Sequence, residues 1–247
     1  MEKKYLFVCG SPRSGTTAMW NFLANDNRIK MGVERYGNLF FRKPLTTELF
    51  EYERFFDLQE GDTFYNELNS FSPYYKKIID NYEGAEYYGD KIPLLYKYLD
   101  RLNEAIPNSK VIIMIRNIID VSASYEARAN NDNDESWSRN KRTASAIEDW
   151  RDSLKVVRQN LNNPNVIPII YEDFYSDINE AKKLFTKIEL SFTEKNEKAY
   201  MATHKRAREL DGFRSRNLDA SAVKALCEEA PYGLYREILT ELRNKNE

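Results

Sequence analysis

A glycine loop that follows an apolar strand and opens a helix constrains this chain more than any other stretch. "KKYLFVCG" is an apolar run that stops at Gly10, and "SPRSGTT" leads into "AMWNFLAND", where Met19, Trp20 and Leu23 share one helical face. Glycines let the backbone approach an anion closely, and the helix that follows points free amides and its positive dipole end at it. The layout is nearly that of a nucleotide phosphate loop, G-x-x-x-x-G-K-[ST], with Gly10, Gly15 and Thr17 in register and Thr16 in the lysine's place. Triphosphate hydrolysis is poorly served without that lysine and the magnesium site it works beside. Arg13 carries the loop's positive charge instead, which suits a phosphate or sulfate that needs no metal.

Two further apolar runs repeat the unit. "VIIMIRN" at 111–117 reads as a second strand with a helical segment from Asp120 to Ala129 behind it. "NVIPIIYEDF" at 165–174 reads as a third, followed by Ile178, Ala181, Leu184, Phe185 and Ile188 at helical spacing. Continuous apolar strands alternating with helices predict an α/β fold, a central parallel sheet flanked by helices. Ile147, Trp150, Leu154, Val157 and Leu161 mark an amphipathic helix whose stripe reads as core, and "PLLYKYLDRLNEAIP" another that Pro107 ends. The chain of 247 residues shows no linker or repeat and reads as a single domain, 1–247. From Tyr36 to Tyr88 it is rich in Tyr and Phe, which fits either the wall of an acceptor pocket or the packing of a helical insertion. The polar run 130–142 reads as a surface loop or a lid.

Composition narrows the chemistry. A net charge of -2 gives no global attraction to nucleic acid or anionic membrane, so any polyanion site must be local. Cys9, Cys227 and His204 are the only cysteines and histidine, too few for a disulfide framework or a Cys/His zinc site. A catalytic triad would have to use His204, which lies in "ATHKRAREL", a run that reads as a solvated helix face. The apolar run near the N-terminus is too short for a signal peptide or a membrane span, so the expected location is cytoplasmic. Thiols stay reduced there, as two unpaired cysteines require.

Arg116 ends the second strand and Ser124 stands about two turns into the next helix. Both can grip one phosphate; alternatively Arg116 pairs with a carboxylate and Ser124 is merely a helix serine.

Taken together these residues resemble the sulfotransferases that use 3'-phosphoadenosine 5'-phosphosulfate (PAPS). "GSPRSGTT" is similar to that family's 5'-phosphosulfate loop, in the arginine form of tyrosylprotein sulfotransferases and many bacterial relatives. "IRNIIDVSASYEAR" resembles the 3'-phosphate motif, "YGDKIP" the short Asp-Lys-x-Pro segment, and "YEDF" the Tyr-Glu-Asp-Leu signature after a late strand. The resemblance runs from Tyr5 to about Phe174, with "GFRSRN" loosely matching a late basic loop. It implies a P-loop-like fold and transfer of a sulfuryl group from PAPS to a hydroxyl or phenol on a small molecule, glycan, lipid or peptide. Arg13, Ser14, Gly15, Thr16 and Thr17 would hold the 5' end of the donor, Arg116 and Ser124 its 3'-phosphate with Arg128 beside it, and Arg214 and Arg216 would be further donor-binding residues. Lys91 would face the transferred group. Glu34 in "MGVER" stands where the tyrosylprotein branch keeps its acceptor base, although Val33 replaces that branch's first glutamate and Arg35 follows Glu34 directly. The alternatives are a nucleotide-binding module without sulfotransfer and a small-molecule kinase. The missing lysine at position 16 speaks against the kinase, and a binding module has no use for Glu34 or Lys91.

Overall fold

The computed structural model describes residues 3–63, 72–210 and 218–245. The first strand, β1 (Lys4–Gly10), passes through the glycine loop into α1 (Thr16–Leu23) and then into β2 (Ile29–Val33). Short helices α2 (Leu39–Arg42), α3 (Tyr52–Phe56) and α4 (Ser72–Ile78) precede β3 (Tyr87–Lys91). A 3-10 helix over Pro93–Tyr98 joins α5 (Leu99–Ala105), and β4 (Lys110–Ile115), α6 (Ile118–Ala129) and α7 (Thr143–Gln159) follow. After β5 (Val166–Ile170) come α8 (Tyr171–Phe174), α9 (Ile178–Lys187), α10 (Glu194–Leu210), α11 (Ala220–Glu229) and α12 (Tyr232–Asn244).

The strands form one five-stranded sheet in the order β2-β3-β1-β4-β5, every neighbouring pair parallel. Strand side chains alternate between faces, so a strand covered on both sides needs an unbroken apolar run. In β1 and β4, Phe7, Cys9, Val111, Ile113 and Ile115 enter one core with α6, α7 and the aromatic insertion. Leu6, Val8, Ile112 and Met114 enter the other with Trp20, Phe22, Leu184 and Phe185. On α7, Ile147, Trp150, Leu154 and Val157 are buried as their spacing predicts, whereas Leu161 lies beyond the end of the helix and is half-buried.

Three readings change. Strands β2 and β3 lack a sequence signature because Lys30, Gly32, Gly89, Asp90 and Lys91 interrupt their apolar runs, yet every residue of both is buried. The third strand stops at Ile170, and Tyr171–Phe174 is a helical turn. The helix expected from Pro93 begins as a 3-10 turn before α5. Six rings of the insertion, Tyr36, Phe40, Phe50, Phe55, Tyr82 and Tyr88, are buried core, and Tyr82 stacks on Phe55 at 4.8 Å, while Phe41 is exposed. Among the described residues, no helix is long and apolar enough to cross a membrane.

Candidate active site

Because all five strands run the same way, the residues after their carboxyl ends gather along one edge of the sheet, where open α/β folds bind ligands. Gly10 ends β1, Glu34 follows β2, Lys91 ends β3, Arg116 follows β4 and Tyr171 follows β5. Parallel topology thus brings together residues up to about 160 positions apart.

The loop from Ser11 to Gly15 is tight: Ser14 N–H donates to the Ser11 carbonyl at 3.0 Å, and Arg13 takes a left-handed φ of 70°. That conformation costs a non-glycine residue about 1–2 kcal/mol. Gly15 begins α1 at φ 101°, where a Cβ would lie 2.5 Å from the Tyr171 ring. No side chain caps α1, whereas Asn117, Asp177 and Asp219 cap α6, α9 and α11. The buried Ser11 and Ser14 hydroxyls have no hydrogen-bond partner. Uncapped amides beside orphaned hydroxyls fit an anionic group, since buried donors left unmatched are costly. Arg13, Gly15, Thr16, Thr17, Arg116 and Tyr171 line the open cleft above the loop, with Ala18, Asn21, Thr203 and Ala207.

Arg116 is held from several sides. Trp150 Nε1 donates to its carbonyl at 2.9 Å, its guanidinium lies 4.3 Å over the Tyr171 ring, and Nη2 donates to Asp120 Oδ2 at 2.7 Å. The carboxylate pairing considered from sequence is therefore present, and the same guanidinium faces the cleft. Ser124 accepts from Arg13 Nε at 2.8 Å, so the serine of the second motif touches the arginine of the first. Arg128 points elsewhere: it donates to Asp134 at 2.5 and 2.8 Å and to Ser136 at 2.8 Å, and lies 4.7 Å over Trp137. Those contacts tie the 130–142 loop to α6, and hydrogen bonding from Arg128 lowers the Asp134 carboxyl to about 2. Arg214 and Arg216 lie outside the described residues.

Lys91 Nζ lies 2.5 Å from Glu34 Oε1, the lysine buried and the carboxylate side chain 40% exposed. Arg35 takes no part in that pair. It is fully buried, donating to the carbonyls of Phe55 and Asp57 at 3.0 Å each and pairing with Asp62. His204 is half-buried rather than a solvated face, its ring 5.8 Å from that of Tyr200 and its Nδ1 without a partner.

Tyr171, Glu172 and Asp120 lie within the sequence motifs, but their roles are set by contacts between distant segments. Glu172 Oε1 accepts from the Asn117 amide at 2.9 Å and from its Nδ2 at 2.7 Å, joining the ends of β4 and β5. Thr203 and Ala207 on α10 had no signal, since they reach the cleft only through the packing of that helix against α1.

The family model described as Sulfotransferase family matches residues 6–194. No curated protein matches the chain. Among solved structures, the sulfotransferase domain from the curacin biosynthetic pathway is 16% identical at TM-score 0.54, covering 98% of each chain. The sulfotransferase domain of the Synechococcus PCC 7002 olefin synthase is 15% identical at TM-score 0.54, covering 100% of this chain and 96% of that one. Mouse sulfotransferase SULT7A1, solved in complex with PAP, is 15% identical at TM-score 0.54, covering 96% and 84%. At such identities the structures speak for the fold, while the match over residues 6–194 carries the assignment: the chain belongs to the sulfotransferase family.

Proposed function

We propose that this sulfotransferase takes its sulfuryl group from PAPS and passes it to a hydroxyl or phenol, with Glu34 receiving the acceptor's proton. The observation that carries the reading is the Lys91–Glu34 pair at 2.5 Å, on the same sheet edge as an uncapped, arginine-bearing anion loop. A module that only bound a nucleotide would have no use for a buried lysine and a half-exposed carboxylate beside its phosphate loop. The PAP bound to the mouse structure of the same fold supports the choice of donor.

PAPS supplies a sulfuryl group whose bond to the 5'-phosphate breaks as the acceptor oxygen bonds to sulfur, releasing 3'-phosphoadenosine 5'-phosphate. The amides of Ser14 to Thr17 and the Arg13 guanidinium would hold the 5' end and stabilise the charge that builds on the leaving phosphate. Arg116 and Ser124 would take the 3'-phosphate, joined by Arg128 if it leaves Asp134, and by Arg214 and Arg216. Lys91 offers a fixed positive charge to the equatorial sulfonyl oxygens. Glu34 accepts the proton as the oxygen–sulfur bond forms, which requires contact with the acceptor and none with the donor. The acceptor belongs to a small molecule, glycan, lipid or peptide, and the reaction takes place in the cytoplasm.

Two measurements test this reading. 3'-Phosphoadenosine 5'-phosphate should raise the melting temperature, a native-state ligand at a hundredfold excess over its Kd adding about 2.7 kcal/mol. ATP with magnesium should not. Labelled PAPS offered with a phenol, a sugar, a sterol and a tyrosine peptide in turn should label at least one of them. Stabilisation by ATP and none by the bisphosphate would return the loop to the kinases.

A further inference from the structure

Asp90 is fully buried in β3, and burial pushes its carboxyl up to about 7. Taking a carboxylate out of water is costly, so its surroundings should show what it does there. Its two oxygens accept from consecutive backbone amides, Oδ1 from Arg35 N–H at 3.1 Å and Oδ2 from Tyr36 N–H at 2.8 Å. Those amides directly follow Glu34, which takes a left-handed φ of 54°. A left-handed residue with converging amides after it forms a nest for an anion, and here the anion is the protein's own side chain.

The neighbouring residues are built around this contact. Glu34 N–H donates to the Lys91 carbonyl at 2.8 Å, so the sheet pairing of β2 with β3 continues up to the residue that bears the carboxylate. A Cβ on Gly32 would lie 2.8 Å from Asp90 Oδ1 and 2.6 Å from the Arg35 Cβ, so a larger residue would push the carboxylate and the turn apart. Asparagine in place of Asp90 would offer one acceptor and turn an N–H₂ toward the second amide, which only donates. Adjacent residues of one strand thus do two jobs: Asp90 fixes the backbone that follows the left-handed Glu34, and Lys91 meets the Glu34 side chain.

We propose that Asp90 is a positioning residue that holds Glu34 in its strained turn against Lys91, with Gly32 making room for it. The proposal rests on the reading of Glu34 as the acceptor base. Asp90 touches no reacting atom in this scheme; it acts on the turnover step through Glu34 and leaves the donor loop alone.

The test uses Asp90→Asn and Gly32→Ala, two independent ways of loosening the same turn, each alone and combined with Glu34→Gln. Transfer of labelled sulfuryl from PAPS is followed to water and to the acceptor panel, and bisphosphate affinity is measured by calorimetry. Each single variant should lower turnover by about 10- to 100-fold, with the Kd for the bisphosphate and the KM for PAPS within about twofold of wild type. Once Glu34 is glutamine, either change should cost less than about a further twofold, because residues acting through one group are not additive. Near-wild-type turnover in both single variants overturns the proposal. So does loss of bisphosphate binding or of the fold in both, which would make the contact a general structural support. Losses that multiply in the Glu34→Gln background also overturn it, since Asp90 would then act by another route. The underlying reading fails separately, if Glu34→Gln alone leaves turnover unchanged.

Discussion

Arg13 Nε donates to Ser124 Oγ at 2.8 Å, joining residues 111 positions apart, one in the glycine loop after β1 and the other on α6. The hydroxyl therefore orients the arginine of the glycine loop and stands one helical turn from Arg128. Ser124→Ala should weaken 3'-phosphoadenosine 5'-phosphate by about 1 kcal/mol, and adenosine 5'-phosphosulfate, which lacks the 3'-phosphate, by less, through the loosened Arg13 alone. Arg116→Ala should cost the bisphosphate about 2–5 kcal/mol and spare adenosine 5'-phosphosulfate. Calorimetry with both ligands separates these roles, and equal losses for the arginine variant would remove it from the 3'-phosphate.

Replacing Glu34 with glutamine keeps its shape and removes its basicity. Turnover should fall by about 10²–10⁴ while bisphosphate affinity stays close to wild type. Steady-state rates at saturating PAPS, set beside calorimetric Kd values, decide the matter. Unchanged turnover would assign the proton to another group or to solvent.

Gly15→Ala joins two faults at one position, a left-handed φ of 101° and a Cβ 2.5 Å from the Tyr171 ring. The ring must move, and with it the platform under the Arg116 guanidinium. Bisphosphate affinity should drop at least tenfold, about 1.4 kcal/mol. Adding Tyr171→Ala relieves the clash but removes the platform and leaves the backbone strain, so it should not restore affinity.

Asp90 gives a stability signature of opposite sign to that of a salt-bridged carboxylate. Its folded pKa is raised to about 7 from an ordinary 3.8, chiefly by burial. The folded state therefore keeps a proton that the unfolded state has lost, and this contribution, complete below about pH 4, disappears as pH rises through about 7. Urea midpoints at pH 4.5, 6 and 7.5 should show wild type losing ground to Asp90→Asn as pH increases. A constant difference would mean that Asp90 does not titrate in this window.

The loop over 130–142 should loosen in acid. Hydrogen bonding from Arg128 lowers the Asp134 carboxyl to about 2, so the stability it confers is present above its unfolded pKa of 3.8 and is lost as pH falls toward 2. Protease cleavage between Asn130 and Arg142 by an acid-active protease should accelerate across that range, and Asp134→Asn should already be cleaved faster at pH 5. Equal cleavage of the two proteins at pH 5 would show that this pair does not hold the loop.

The sequence by itself determined the strands whose residues are apolar on both faces, β1, β4 and β5, because a run such as "VIIMI" has no other economical place than the middle of a covered sheet. It also determined the tight glycine loop between β1 and α1, since glycine spacing between strand and helix is a local property of the backbone. Tertiary structure alone decided the rest. Strands β2 and β3 carry Lys30, Gly32, Asp90 and Lys91 into the sheet, and their charges are tolerated only through partners from distant segments: Asn81 for Lys30, the Arg35 and Tyr36 amides for Asp90, Glu34 for Lys91. Arg35 shows the same limit. It directly follows Glu34 in the chain, but the left-handed turn sends the two side chains apart, one to Asp62 and the other to Lys91. Hydrophobic periodicity records which side of an element is buried, whereas pairing of charges depends on which strand ends meet, and that is fixed only when the sheet assembles in its order β2-β3-β1-β4-β5.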